Sequence, residues 1–219
     1  MIRMSRSVLL IFFGVVLVAT GAGMRLVASA ALRDRETTLL NARPSAPSQR
    51  TSYARAAALP PARSAPMSIR IPEMDLWNQV APADVFISWN EGVPAQTWQV
   101  EDAGWYAPSG LPGWGRNVVI AGHSPVLDPE VWERSLFRVL PYLEPGQVIE
   151  LFTNEVVYGY QVAQVFAIPA KESQDQEVVA WIADSGDERL TLVTCFPPHT
   201  AANRVLVVAF PIGWRKYEP

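Results

Sequence analysis

From Met67 onward the apolar residues fall into short runs, each closed by Gly, Pro, Asn or Asp. That rhythm predicts strands separated by tight connections. The runs are Ser68–Ile71, Val85–Ser88, Val118–Ala121, Val148–Phe152, Val157–Phe166, Leu190–Thr194 and Val205–Phe210. Two stretches follow a helical spacing instead. Val131–Leu140 places Val131, Ser135, Leu136 and Val139 on one face, and Glu177–Ala183 carries Val178, Trp181 and Ile182. Closely spaced strands with so few helices point to a closed or nearly closed β-barrel rather than a parallel sheet.

The pattern before Met67 is different. Val8–Met24 contains no charge and is preceded by Arg3 and Arg6. As a helix its 17 residues span about 26 Å, the short end for a membrane crossing. Ala28-Ser29-Ala30 would serve as a small-residue cleavage site, so a removed signal competes with an uncleaved anchor. The length of the run favours the anchor. Arg3 and Arg6 put the N-terminus in the cytoplasm and the rest outside, with Arg25, Arg33 and Arg35 pulling the other way. Arg33–Pro66 is rich in Ala, Arg, Pro and Ser without apolar periodicity and reads as a linker. The expected organisation is a cytoplasmic tip and transmembrane signal-anchor over residues 1–32, a linker over 33–67 and a catalytic domain over 68–219.

Charge sharpens the division. Residues 1–67 hold nine Arg against Asp34 and Glu36, a net of +7, and residues 68–219 carry a net of −10. An acidic folded part speaks against nucleic-acid binding. A basic stalk suits a domain held near an anionic surface. Cys195 is the only cysteine of the chain, so no intrachain disulfide forms. Taken alone, a free cysteine ordinarily serves as a small buried hydrophobe.

Its surroundings change that reading. Leu190–Thr194 is an apolar strand that runs into Cys195 and stops at Pro197-Pro198. The prolines cannot continue a ladder, which puts Cys195 at a strand end on the barrel rim. Arg204 opens the next apolar run, so a hairpin would set it across from Cys195. A guanidinium beside sulfur stabilises thiolate and can donate to an oxyanion. His123 closes the run Asn117–Gly122, again at a rim. His199 sits in a Pro-Pro-His-Thr turn and reads as exposed. A strand-terminal histidine with a strand-terminal cysteine is the usual material of Cys–His nucleophilic catalysis.

With these residues in view the chain resembles the sortase family. The motifs are TLVTC at 191–195, VVIAGH at 118–123 and Arg204, in that order. Ile69-Arg70-Ile71-Pro72, Phe137, Leu140, Leu143, Gly146–Ile149, Tyr158 and Tyr160 add context, and the likeness covers Ser68 to Pro211. Arg116 stands before Asn117 where relatives commonly have Gly, and Ser124–Ser135 is longer than in compact relatives. An Asp-Pro-aromatic lid motif is absent before Ile69, which favours a housekeeping-like class D, E or F type over a pilin polymerase.

The resemblance implies an eight-stranded closed β-barrel with short helices, behind an N-terminal transmembrane helix, at the cell membrane with the catalytic domain extracytoplasmic. It implies a cysteine transpeptidase acting on surface proteins with a C-terminal LPxTG-like sorting signal. Cys195 would attack the Thr–Gly carbonyl, and His123 would protonate the leaving amine. An amine of a cell-wall precursor or pilin would then take the acyl group. Arg204 would hold substrate and oxyanion, with Thr194 donating a hydrogen bond from behind them, near the substrate. No cofactor or metal is expected. Glu101-Asp102 and Asp184–Glu188 could hold calcium, as in some relatives, but read better as solvated acidic loops. Trp105-Tyr106 could line the groove. The alternatives are a cell-surface cysteine peptidase that only hydrolyses, and a non-catalytic barrel used in surface assembly.

Overall fold

The computed structural model describes residues 28–44, 59–90, 93–99, 103–124, 136–170, 175–184, 186–198 and 202–218. The chain divides into two units, residues 1–37 and 38–219. Residues 28–41 form helix α1. The segment is dominated by Ala, Leu and Arg, good helix formers that need no apolar stripe to favour a helix, and it ends ahead of Pro44. It thus occupies the start of the stretch read from sequence as linker. The apolar run Val8–Met24 lies outside the described residues, and none of the helices within them is long and apolar enough to cross a membrane.

The described residues of the second unit include ten strands. They are β1 (Ser68–Ile71), β2 (Leu76–Gln79), β3 (Ala81–Asn90), β4 (Val93–Gln99), β5 (Ala103–Tyr106), β6 (Asn117–Gly122), β7 (Val148–Phe152), β8 (Val156–Pro169), β9 (Arg189–Phe196) and β10 (Asn203–Lys216). Helix α2 (Asp175–Ile182) lies between β8 and β9. Nine strands curl into a nearly closed barrel in the order β2-β1-β7-β8-β10-β9-β6-β5-β3. The remaining strand, β4, pairs only with the outer part of β3, from Asp84 to Asn90.

The expectation of eight closed strands is therefore corrected. Every run read as a strand falls inside an observed one, but β2, β4 and β5 went unread. Strand β2 has only four residues, β4 contains Pro94, and β5 opens on Ala103-Gly104, which have little strand preference. Of the predicted helix Val131–Leu140, residues 131–135 lie outside the described set, and Leu136–Tyr142 is a 3₁₀ helix containing Pro141.

Strand β6 is buried at all six positions, which explains its continuous apolar run. One side of the layer formed by β6, β9, β10 and β8 is covered by α2. Val178, Trp181 and Ile182 pack there with Val119, Phe166, Val193 and Leu206. Trp181 is fully buried against Phe166, ring centroids 4.6 Å apart. A polar network finishes the helix. Asn117 Nδ2 donates to the carbonyls of Trp181 and Ala183 at 3.0 and 3.1 Å, and Arg189 Nη2 donates to Trp181 O at 2.9 Å. These carbonyls have no partner within the helix, so the buried amide and guanidinium supply one. Thr191 Oγ1 donates to Asn117 Oδ1 at 2.9 Å, which fixes β6 and β9 in register at one end.

Residues 59–67 pack on the barrel as a strap. Tyr158 donates its hydroxyl proton to Pro60 O at 3.0 Å, Ala62 N donates to Pro112 O at 2.8 Å, and Trp114 Nε1 donates to Ala62 O at 2.9 Å. The loop under the strap is held from within by Glu188. Its carboxylate accepts from Gly113 N at 2.9 Å, Gly115 N at 2.7 Å and the Tyr160 hydroxyl at 2.7 Å. Gly113 has φ +80°, and a Cβ there would lie 2.1 Å from Pro60 O. Only glycine satisfies both the turn and the close approach.

Candidate active site

Three strand ends meet at one rim. Strand β9 brings Cys195 there and β10 starts with Asn203-Arg204. The antiparallel pair sets Arg204 opposite Cys195, and Arg204 Nη1 donates to Cys195 Sγ at 3.4 Å. Both side chains are half-buried, so a substrate carbonyl can reach them from solvent. Strand β6 runs parallel to β9 on its other side, in register as far as Ala121↔Val193. Carried two residues further, that register brings His123 level with Cys195. His123 is exposed, just past the end of β6.

Thr194 does not face the opening. It is buried, and its Oγ1 donates to Gly122 O at 3.0 Å. His199 lies outside the described residues. Trp105 turns back on its own loop, with Nε1 donating to Gly110 O at 3.1 Å, and Tyr106 packs partly buried against the cluster under α2.

The acidic segment after α2 is engaged by the protein itself. Asp184 accepts from Arg116 Nε at 2.6 Å and Gly186 N at 3.2 Å. The Arg116 hydrogen bond holds the Asp184 carboxyl below its ordinary range. Burial acts oppositely on Glu188 and raises its pKa despite its donors. Burial, with Glu188 and Glu155 nearby, pushes Tyr158 up to about 12. The described residues contain no group of three or more His, Cys, Asp or Glu able to hold a metal ion, and Glu101-Asp102 lie outside them.

Sequence reasoning missed the polar base under this rim. Arg189 is 1% exposed, and burial lowers its pKa. Its only signal was a charge at the head of an apolar strand, which reads as a solvated end.

A lone thiol paired with a guanidinium on a rigid strand end is the framework of a cysteine-dependent acyl-transfer enzyme. The sortase-domain family model matches residues 69–212. The chain belongs to the sortase family, and it is accordingly a cysteine transpeptidase. Sortase A from Listeria monocytogenes is similar, with a TM-score of 0.51 and 25% identity over 71% of this chain and 92% of that one. Sortase E1 from Streptomyces coelicolor, solved with a tripeptide in its active site, gives a TM-score of 0.49 and 22% identity over 73% of this chain and 98% of that one. Sortase A from Corynebacterium diphtheriae gives 0.49 and 22% over 72% and 64%. No functionally curated protein matches.

Proposed function

We propose that Cys195, His123 and Arg204 carry out transpeptidation of a sorting signal of the LPxTG type, cleaved between Thr and Gly. The observation that carries this reading is the 3.4 Å contact from Arg204 Nη1 to Cys195 Sγ at an open rim. The thiolate of Cys195 attacks the threonine carbonyl carbon, and the oxyanion that forms takes hydrogen bonds from Arg204. His123 gives its proton to the departing glycine nitrogen as the C–N bond breaks, leaving a thioester on Cys195. An incoming amine then attacks the thioester, His123 takes its proton, and the C–S bond breaks to free the thiolate.

The substrates under this reading are surface proteins with a C-terminal sorting signal, and the acceptor is an amine of a cell-wall precursor or another surface protein. Val8–Met24 anchors the chain in the membrane with the barrel outside. The absence of an Asp-Pro-aromatic motif before Ile69 supports a housekeeping-like class D, E or F type.

The test is mass spectrometry of a sorting-peptide library incubated with the protein, with and without an amine. Amine-dependent ligation products and a thioester trapped on Cys195 are expected, and both vanish in Cys195→Ala. Hydrolysis alone, whatever the amine, would assign the peptidase reading instead. Unchanged cleavage by Cys195→Ala would remove the site.

A further inference from the structure

Where the backbone pairing of β6 with β9 stops, a side chain continues it. The register runs to Ala121↔Val193, and one residue on, Thr194 Oγ1 donates to Gly122 O at 3.0 Å. Thr194 is 2% exposed and Gly122 is buried, so water has no access to replace this bond. The Gly122 oxygen belongs to the rigid peptide plane that also contains His123 N. Holding that oxygen orients the plane, and the plane sets the direction in which His123 leaves the strand. Glycine has no Cβ to restrict the torsion that turns this carbonyl, so the restraint comes from outside the residue, from the β5 ladder at Ala103↔Gly122 and from this hydroxyl. Thr194 is itself fixed in β9, paired with Val205 of β10 on the far side. Its neighbour Cys195 projects to the other face.

From this we infer that Thr194 is a positioning residue, whose hydroxyl ties the peptide before His123 to the residue before Cys195 and so sets the distance between imidazole and sulfur. The inference rests on the roles given to His123 and Cys195 under Proposed function. It also narrows the expectation of a donor near the substrate. The single hydroxyl proton is committed to Gly122 O, so the oxyanion has to find its donors elsewhere.

Thr194→Val keeps the shape and removes the hydroxyl, whereas Thr194→Ser keeps the hydroxyl and removes the methyl. On the full chain, two readouts are followed for each variant: sorting-peptide kcat and KM, and the pH dependence of Cys195 alkylation by iodoacetamide. Thr194→Val is expected to lose on the order of 10²-fold in kcat, the scale of a misplaced reacting group, with KM little changed. Its alkylation profile against pH is expected to differ from the wild type's, because the hydroxyl no longer holds the peptide before His123. Thr194→Ser keeps the wild-type midpoint and stays within about threefold in kcat, far short of the loss expected of valine. Should the valine variant fail to fold, Thr194→Ala replaces it in both measurements.

A valine variant with wild-type kcat and midpoint overturns the inference. So does a serine variant as impaired as valine, which would make the methyl group's packing the cause. A raised KM at unchanged kcat would show that the hydroxyl meets the peptide instead. The alkylation arm separates this inference from the reading beneath it. If the wild type transfers no sorting peptide yet the midpoint shifts in Thr194→Val and not in Thr194→Ser, the positioning role stands and the substrate assignment fails.

Discussion

Arg204 and Cys195 face each other across the β9–β10 pair, with Nη1 donating to Sγ at 3.4 Å. The geometry separates a planar donor from a plain charge. Lysine keeps the charge and loses the fork. If Arg204 donates to the oxyanion as it forms, Arg204→Lys and Arg204→Ala should both lose kcat. One such donor carries about 2.7–4 kcal/mol of transition-state stabilisation, or roughly 10²–10³-fold. Steady-state kinetics decide, and a near-wild-type kcat for Arg204→Lys would sink the hydrogen-bonding role.

The parallel register of β6 and β9, carried two residues past Ala121↔Val193, brings His123 to the level of Cys195. His123→Ala should lower kcat by about 10²–10⁴-fold, the range for a lost general acid–base, while His199→Ala leaves it near wild type. Peptide-transfer rates of the two variants check this. The reverse ranking would move the chemistry to the loop after β9.

Glu188 supplies a pH dependence that does not involve the rim. Burial holds its carboxyl above the ordinary 4.5, so the folded chain binds that proton more tightly than the unfolded chain does. Its contribution is fully present below the unfolded value and fades as pH rises through the folded one. Glu188→Gln does not titrate. The stability difference between wild type and Glu188→Gln should therefore shift against the wild type as pH rises from below 4.5. Urea unfolding of both proteins across that window tests the sign, and a difference moving the other way would refute it.

Gly113→Ala forces a methyl group against Pro60 O at a backbone position of φ +80°. The strap should lift while the barrel stays folded. Faster proteolytic cutting near Pro60-Pro61, with little change in peptide-transfer rate, is the expected outcome. Equal protease resistance would show that the strap is not held by this contact.

Much of the site was legible because its signals are local. An apolar strand stopped by Pro197-Pro198 fixed Cys195 at a rim, and the following apolar run gave Arg204 its place across the hairpin. Strands β1 and β7 were read to the residue. The losses lie where the signal is tertiary. Strand β5 begins Ala-Gly and exists because β6 and β3 offer it partners on both sides. Asn117, Thr191 and Arg189 look like ordinary polar residues until α2 sets its last carbonyls over them. The inward turn of Thr194 was equally hidden, since nothing in TLVTC says which partner a hydroxyl chooses.

The strap has a mechanical consequence. A pull on the chain before Pro60 is met by Tyr158, Pro112 and Trp114 before it can reach β1. These attachments cluster with Glu188 at the foot of β9, and six residue steps of strand, about 20 Å, separate Arg189 from Cys195. Tension arriving at Pro60 is thus carried first into the foot of the barrel. The rim with Cys195 lies at the other end of that strand.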